Sequence, residues 1–234
     1  MKEQSVWLLG GGPGSDKRQV VAILARALAE TGVAKPAVAY LGSASDDDKW
    51  FLDRMASLLR AAGSGKVTLA PTCGRGVSSK QARDVLTGAD AIFVSGGDVE
   101  AGMDVLNRHK LVSFLGGLHK AGKVFIGLSA GSIMLCKAWV RWPDEEDDDS
   151  AELFDCLGLA PIYCDTHAEE EDWEELKALL RLLPDGAAGY GIPTSGAIGV
   201  TAGAEVHAFG DSVLLVERSG RKDFRSDRLL PDPT

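Results

Sequence analysis

The chain has 234 residues, a net charge of −9 and 45% apolar residues. By size scaling, a chain of this length buries roughly 70% of its unfolded surface, enough for one core without disulfides or metal. The composition excludes disorder, collagen-like repeats and coiled coil as the main architecture, and no apolar run approaches the ~18 residues of a membrane span.

Charge and cysteine usage narrow the partners. Two runs, Asp144 to Asp149 and Glu169 to Glu175, hold twelve of the 34 acids; elsewhere 25 bases outnumber 22 acids. An acidic chain disfavours nucleic acid and anionic membranes as partners. The segment from Met1 to Gly12 lacks the apolar region of a secretory signal. Cys73, Cys136, Cys156 and Cys164 show no C-x-x-C pairing and no zinc spacing. A reduced, cytoplasmic protein without metal or cofactor is expected.

In chain order, Ser5 to Leu9 reads as a strand ending in the cluster Gly10-Gly11-Gly12-Pro13-Gly14. An apolar helical spacing from Val20 to Leu28 follows, closed by Gly32. Val38 to Leu41 is a second strand, and Ser45 is expected to cap a helix carrying Phe51, Leu52, Met55, Leu58 and Leu59 on one face. Val67 to Leu69 is a strand, Ser79 opens a helix through Leu86, and Ala91 to Val94 is a strand ending in Ser95-Gly96-Gly97-Asp98. Val99 to Lys120 is expected to be helical up to Gly122. Val124 to Leu128 is a strand, followed at once by a small-residue turn and an apolar helix. This alternation predicts βαβ units: an α/β fold in three layers, with a mostly parallel sheet flanked by helices.

Beyond residue 140 the pattern changes. An acidic loop leads through Leu157 to Cys164, a loop and strand, and a helix is expected from Ala168 to about Leu183. Short alternating runs from Ala187 to Val216 predict antiparallel strands at the sheet edge. The expected organisation is a single α/β domain over residues 1–220 and a loose polar tail over 221–234.

The chemistry concentrates at Gly127-Leu128-Ser129-Ala130-Gly131. G-x-S-x-G between a strand and a helix is the nucleophile elbow, in which only small residues fit beside an exposed serine. The Ala130 N–H would face the reacting oxygen. An ordinary tight turn with a capping serine is the competing reading. A serine nucleophile needs a base, and the four histidines differ. His109 sits between Arg108 and Lys110 on a polar stretch. His119 lies in a last helical turn, where cations are ordinary. His207 belongs to a late hairpin. His167 stands where a strand should end, and Thr166-x-x-Glu169 reads as a capping box that would set it at a helix N-terminus. Asp144, Asp165 and Glu169 are the acids that could orient it. The Ser95–Asp98 turn suits a second oxyanion donor, because paired glycines allow close backbone approach; Asp98 also reads as a helix N-cap. The Gly10–Gly14 cluster has neither the P-loop lysine nor the acid of a dinucleotide fingerprint, so nucleotide binding is weakly supported.

Taken together, these motifs resemble the dipeptidase E and cyanophycinase family of serine peptidases, which shares its fold with class I glutamine amidotransferases. The resemblance runs from residue 5 to about 216. It rests on Leu9-Gly10-Gly11-Gly12, Val94-Ser95-Gly96-Gly97-Asp98, Ile126 to Ser132, Leu157-Gly158-Leu159-Ala160-Pro161 and Asp165-Thr166-His167. It implies a serine hydrolase acting on small peptides, with Ser129 as nucleophile, His167 as base, Asp144 as the third triad member and Gly97 in the oxyanion hole. Where the family usually reads Gly-Gly-Asn this chain has Gly96-Gly97-Asp98, and Asp98 is expected to bind substrate. The arginine-bearing insert of aspartyl dipeptidases is missing after His167, so aspartate specificity is not implied. If both acidic runs line the cleft, basic substrates are favoured. The alternative is a non-catalytic or ligand-sensing member of the amidotransferase-like fold. A homodimer is the assembly kept open.

Overall fold

The computed structural model describes residues 4–144, 146–220 and 223–232. Its first half contains β1 (Val6–Leu9), α1 (Lys17–Ala29), β2 (Val38–Leu41), α2 (Lys49–Ala61), β3 (Val67–Leu69), α3 (Ser79–Gly88) and β4 (Ala91–Val94). Then come α4 (Val99–Arg108), α5 (Val112–Lys120), β5 (Val124–Leu128) and α6 (Ala130–Leu135). The remainder contains β6 (Ala138–Arg141), β7 (Glu152–Asp155), β8 (Cys164–Thr166), α7 (Glu174–Arg181), β9 (Ala188–Ile192), β10 (Gly196–Val200), β11 (Val206–Gly210), β12 (Val213–Arg218) and β13 (Phe224–Leu229).

The main sheet has the order β11-β10-β1-β5-β4-β2-β3. β1 to β5 run parallel, while β10 and β11 add antiparallel at one edge. Because a βαβ crossover lays a helix over each face, such strands are apolar on both sides. Alternate residues of one strand therefore enter different cores. Leu8, Leu41, Val94 and Phe125 pack with α3 to α6, whereas Trp7, Tyr40, Phe93 and Ile126 pack with α1 and α2. The result is a three-layer α/β fold. A second sheet, β13-β12-β9-β8, pairs β8 parallel to β9 and the rest antiparallel, and a β6–β7 hairpin stands apart. α7 buries Leu176, Leu179 and Leu180 in a third cluster with Val140 and Val216.

Several expectations are corrected. α2 is capped by the carboxylate of Asp48, which accepts from Phe51 N–H at 2.7 Å; Ser45 instead belongs to the short turn before it. The helix expected over Val99 to Lys120 breaks at Lys110, which has φ +53°, and the break turns Leu111 and Leu115 into the core. α7 starts at Glu174, not Ala168. Asp172 and Trp173 are left-handed, and this turn tucks the Trp173 indole into the core at 6% exposure. The expected capping box is absent as well: Glu169 Oε1 accepts from Thr194 N–H at 2.6 Å. The acidic run forms the tip of the β6–β7 hairpin, with Glu145 outside the described residues. Of the expected loose tail, Phe224–Leu229 pairs with β12 as β13, while residues 221, 222, 233 and 234 lie outside the described residues.

Candidate active site

β5 delivers Ser129 to the carboxyl end of the central parallel strands, where open α/β sheets bind ligands. Ser129 has φ +53° and ψ −126°, a sparsely populated backbone conformation for a non-glycine residue. Its neighbours hold it there. Ser129 N–H donates to Leu9 O at 3.0 Å, and Ser132 Oγ donates to the same carbonyl at 2.8 Å, tying the turn to the end of β1. A Cβ on Gly131 would collide with the carbonyls of Val94 and Ser95. The G-x-S-x-G spacing is thus a packing requirement of the strand-to-helix turn.

Across from Ser129 stands His167, at the end of β8. Ser129 Oγ and His167 Nε2 lie 2.8 Å apart, within hydrogen-bond distance. His167 also has positive φ, +45°, and its N–H donates to Ile192 O at 2.9 Å. Gly12 lies against the imidazole, so the glycine cluster after β1 forms one wall beside it. The other three histidines are elsewhere. His119 is buried at 4% exposure with its ring edge-on to Phe125; His109 meets Ser79 Oγ, and His207 meets Asp232.

The Gly96-Gly97 turn closes over the opposite side of Ser129. Gly97 has φ +140°, and a Cβ there would collide with Ala44 O. Among the described residues, neither the Gly97 N–H nor the Ala130 N–H is taken by another protein group. Such free amides next to a serine suit a developing oxyanion. Asp98 is engaged differently: its carboxylate accepts from Ala101 N–H at 2.7 Å as the N-cap of α4.

The carboxylates around His167 separate by environment. Asp144, in the exposed hairpin tip, accepts from Glu146 N–H at 3.1 Å, and no contact with His167 is found among the described residues. Asp165 is buried beneath α7 at 3% exposure. Burial pushes its pKa up to about 7; Glu175 and Glu171 add to the rise, and the Thr166 amide opposes it. The Leu176 amide opposes the rise as well. Glu175 sits inside the second acidic run and carries no motif of its own. It keeps contact with solvent, yet loss of hydration around its carboxyl, then Glu171, raise its pKa, while the nearby His167 charge lowers it.

One cavity borders Ser129 and another borders Glu175. One, of about 540 Å³, opens at Ser129 and is lined by the Gly11, Gly12, Gly96 and Gly97 backbones and by apolar side chains of α1 and α2. The other, of about 640 Å³, lies between the hairpin and α7 and is lined by Trp142, Asp149, Asp172, Glu174 and Glu175. Among the described residues, no group of three His, Cys, Asp or Glu side chains could hold a metal ion, and no helix is long and apolar enough to cross a membrane.

The model of peptidase family S51 matches residues 6–207. The chain belongs to peptidase family S51. That membership makes it a serine peptidase, a hydrolase acting on peptide substrates. No curated protein matches it. Among solved structures it is similar to a peptidase from an acI-B1 Actinobacterium, at TM-score 0.76 and 17% identity over 99% of this chain and 96% of that one. It is also similar to a protein assigned as a peptidase E from Listeria monocytogenes EGD-e, at TM-score 0.66 and 18% identity over 89% and 99%. At these identities the likeness is one of fold, and it covers the parallel sheet and the later antiparallel strands alike.

Proposed function

We propose that this S51 peptidase cleaves short peptides through an acyl-enzyme, with Ser129 as nucleophile and His167 as general base. The observation that carries the reading is the 2.8 Å contact between Ser129 Oγ and His167 Nε2 at a strained strand-to-helix turn. In this scheme Nε2 takes the hydroxyl proton as Oγ bonds to the scissile carbonyl carbon. The carbonyl oxygen becomes an oxyanion facing the Gly97 and Ala130 amides, which need no reorganisation to receive it. The C–N bond then breaks, and the imidazolium returns its proton to the leaving amine. Water, deprotonated by the same imidazole, hydrolyses the ester on Ser129 and restores the hydroxyl.

We assign to Glu175 electrostatic support of the imidazolium at a distance, since its carboxyl responds to the His167 charge although the two share no hydrogen bond or ion pair among the described residues. A nearby anion stabilises the imidazolium that forms during each proton transfer. Asp144, the acid implied by family resemblance, is the competing assignment. Asp98 is left as a helix cap at the cleft edge, where its charge still acts on a bound amine.

Labelling by an alkyl fluorophosphonate tests the nucleophile, because only an activated serine reacts with it. Wild-type protein should label at Ser129 and Ser129→Ala should not. An unlabelled wild-type protein would favour a non-catalytic, ligand-sensing role.

A further inference from the structure

The cavity at Ser129 has a chemical character that its position at the elbow does not require. Its walls are Leu9 and Phe93 from the sheet, Val20 and Leu24 from α1, and Met55 and Leu58 from α2. Its volume, about 540 Å³, is that of a small-molecule pocket, ample for one large side chain together with its backbone. Lys17 at the start of α1 and Arg54 on α2 are its charged lining groups, and no carboxylate lines it. Among the described residues neither cation forms a salt bridge; the Arg54 guanidinium rests over the exposed Trp50 ring, 5.5 Å from its centroid. Both cations are exposed while the apolar walls are largely buried, so charge stands outside and hydrocarbon inside.

We infer that this cavity takes the C-terminal residue of a short peptide, its apolar side chain against α1 and α2 and its free carboxylate between Lys17 and Arg54. The inference rests on Ser129 being the nucleophile, since the residue that departs with the amine must then lie beside it. A residue at the end of a peptide carries an apolar side chain and an anion on adjacent bonds. An aspartate side chain in the same place would lose its hydration among Leu24, Met55 and Phe93 with no donor to replace it. A lysine or arginine side chain would bring a cation towards two others. Capping the carboxylate as an amide would leave both cations without a partner.

Binding to the Ser129→Ala protein, measured by calorimetry, tests the cavity without requiring turnover. Ala-Phe should bind more tightly than Ala-Phe-amide, Ala-Asp and Ala-Lys, by about tenfold or more, as expected for charge-assisted pairing. Combining Lys17→Gln and Arg54→Gln should lower Ala-Phe affinity to that of its amide while leaving the amide's own affinity unchanged. Met55→Trp, which fills the cavity, should weaken Ala-Phe and leave Ala-Gly. Equal affinity for Ala-Phe and its amide, or tighter binding of Ala-Lys, would overturn the inference. So would failure of Ala-Phe to bind a folded protein. Fluorophosphonate labelling of the wild-type protein is read separately. Labelling without Ala-Phe preference rejects the cavity assignment alone, and preference without labelling rejects the nucleophile alone.

Discussion

The cavity at Ser129 and the cavity at Glu175 are built from opposite chemistry. On the serine side, α1 and α2 supply apolar walls with Lys17 and Arg54 outside. On the other side, Asp149 of the hairpin and Asp172, Glu174 and Glu175 at the start of α7 line the cavity, with Lys177 and Arg181 among them. Both acidic runs flank the site in the sequence, which suggested a cleft that attracts cations. Four of these acids line the second cavity, and among the described residues none lines the one holding Ser129. A charge run therefore predicts a field only once the direction of its side chains is known. If Glu175 supports His167 as proposed, the field of these acids reaches the site through that histidine, and only at longer range whatever enters beside Ser129.

The largest expected effect tests whether the two sides act as one device. Ser129→Ala and His167→Ala should each lower turnover by several powers of ten, and the double variant should lose little more, because nucleophile and base work as a unit. Steady-state kinetics on one accepted peptide checks this, with circular dichroism showing the fold unchanged. Additive losses would mean that the contact between the two side chains does not carry the reaction.

Next is the choice of acid. Glu175→Gln should reduce kcat about ten- to a hundredfold and shift the limb of the pH–rate profile that reports the base. Asp144→Asn should change kcat less than about threefold, in keeping with its exposed hairpin position. The reverse ranking would make Asp144 the acid that supports His167 and detach the acidic cavity from the chemistry.

Stability against pH probes the protein beneath that cavity. Asp165 has a folded pKa of about 7 against an ordinary value of 3.8. The native state thus holds a proton that the unfolded state has released between these values. Stability should fall as pH rises from about 4 to 7, by up to a few kcal/mol, and stay low above 7. Asp165→Asn removes the titration and should flatten this slope, stabilising the protein at pH 8 relative to wild type. Urea melts at pH 4.5, 6 and 8 measure it; a wild-type curve rising over that range would contradict the burial argument.

The smallest effects concern Glu169 and ionic strength. Since Glu169 accepts from Thr194 N–H at an exposed position, Glu169→Gln should cost no more than about 1 kcal/mol in thermal stability and leave the pH profile unaltered. Hydrolysis of a basic dipeptide should slow as salt is added if the acidic cavity steers it from a distance, and should be indifferent to salt if that field ends at His167.

Local physics was legible in the sequence wherever neighbours along the chain decide the outcome. The five parallel strands could be read because each is an apolar run bounded by glycine or polar turns. The serine turn could be read because G-x-S-x-G is a steric specification: Gly131 must clear the Val94 carbonyl whatever the rest of the chain does. Asp98 as the cap of α4 follows the same logic. Expectations failed where distant segments competed for the same residues. Glu169 had the spacing of a capping partner, yet Thr194, remote in sequence, offers its amide instead, and burial of the Trp173 indole delays α7 to Glu174. The stretch from Phe224 to Leu229 has too little apolar pattern to announce a strand, and β12 makes it one through backbone pairing. His167 could be singled out from its place after a strand, but the 2.8 Å to Ser129 depends on two segments 38 residues apart meeting across the sheet end. Sequence alone determined the parallel strands, the tight turn at Ser129 and the family. The tertiary structure decided that His167 meets Ser129 and which charged side chains line the cavity at Ser129, because side-chain direction is set by packing partners that the local sequence does not contain.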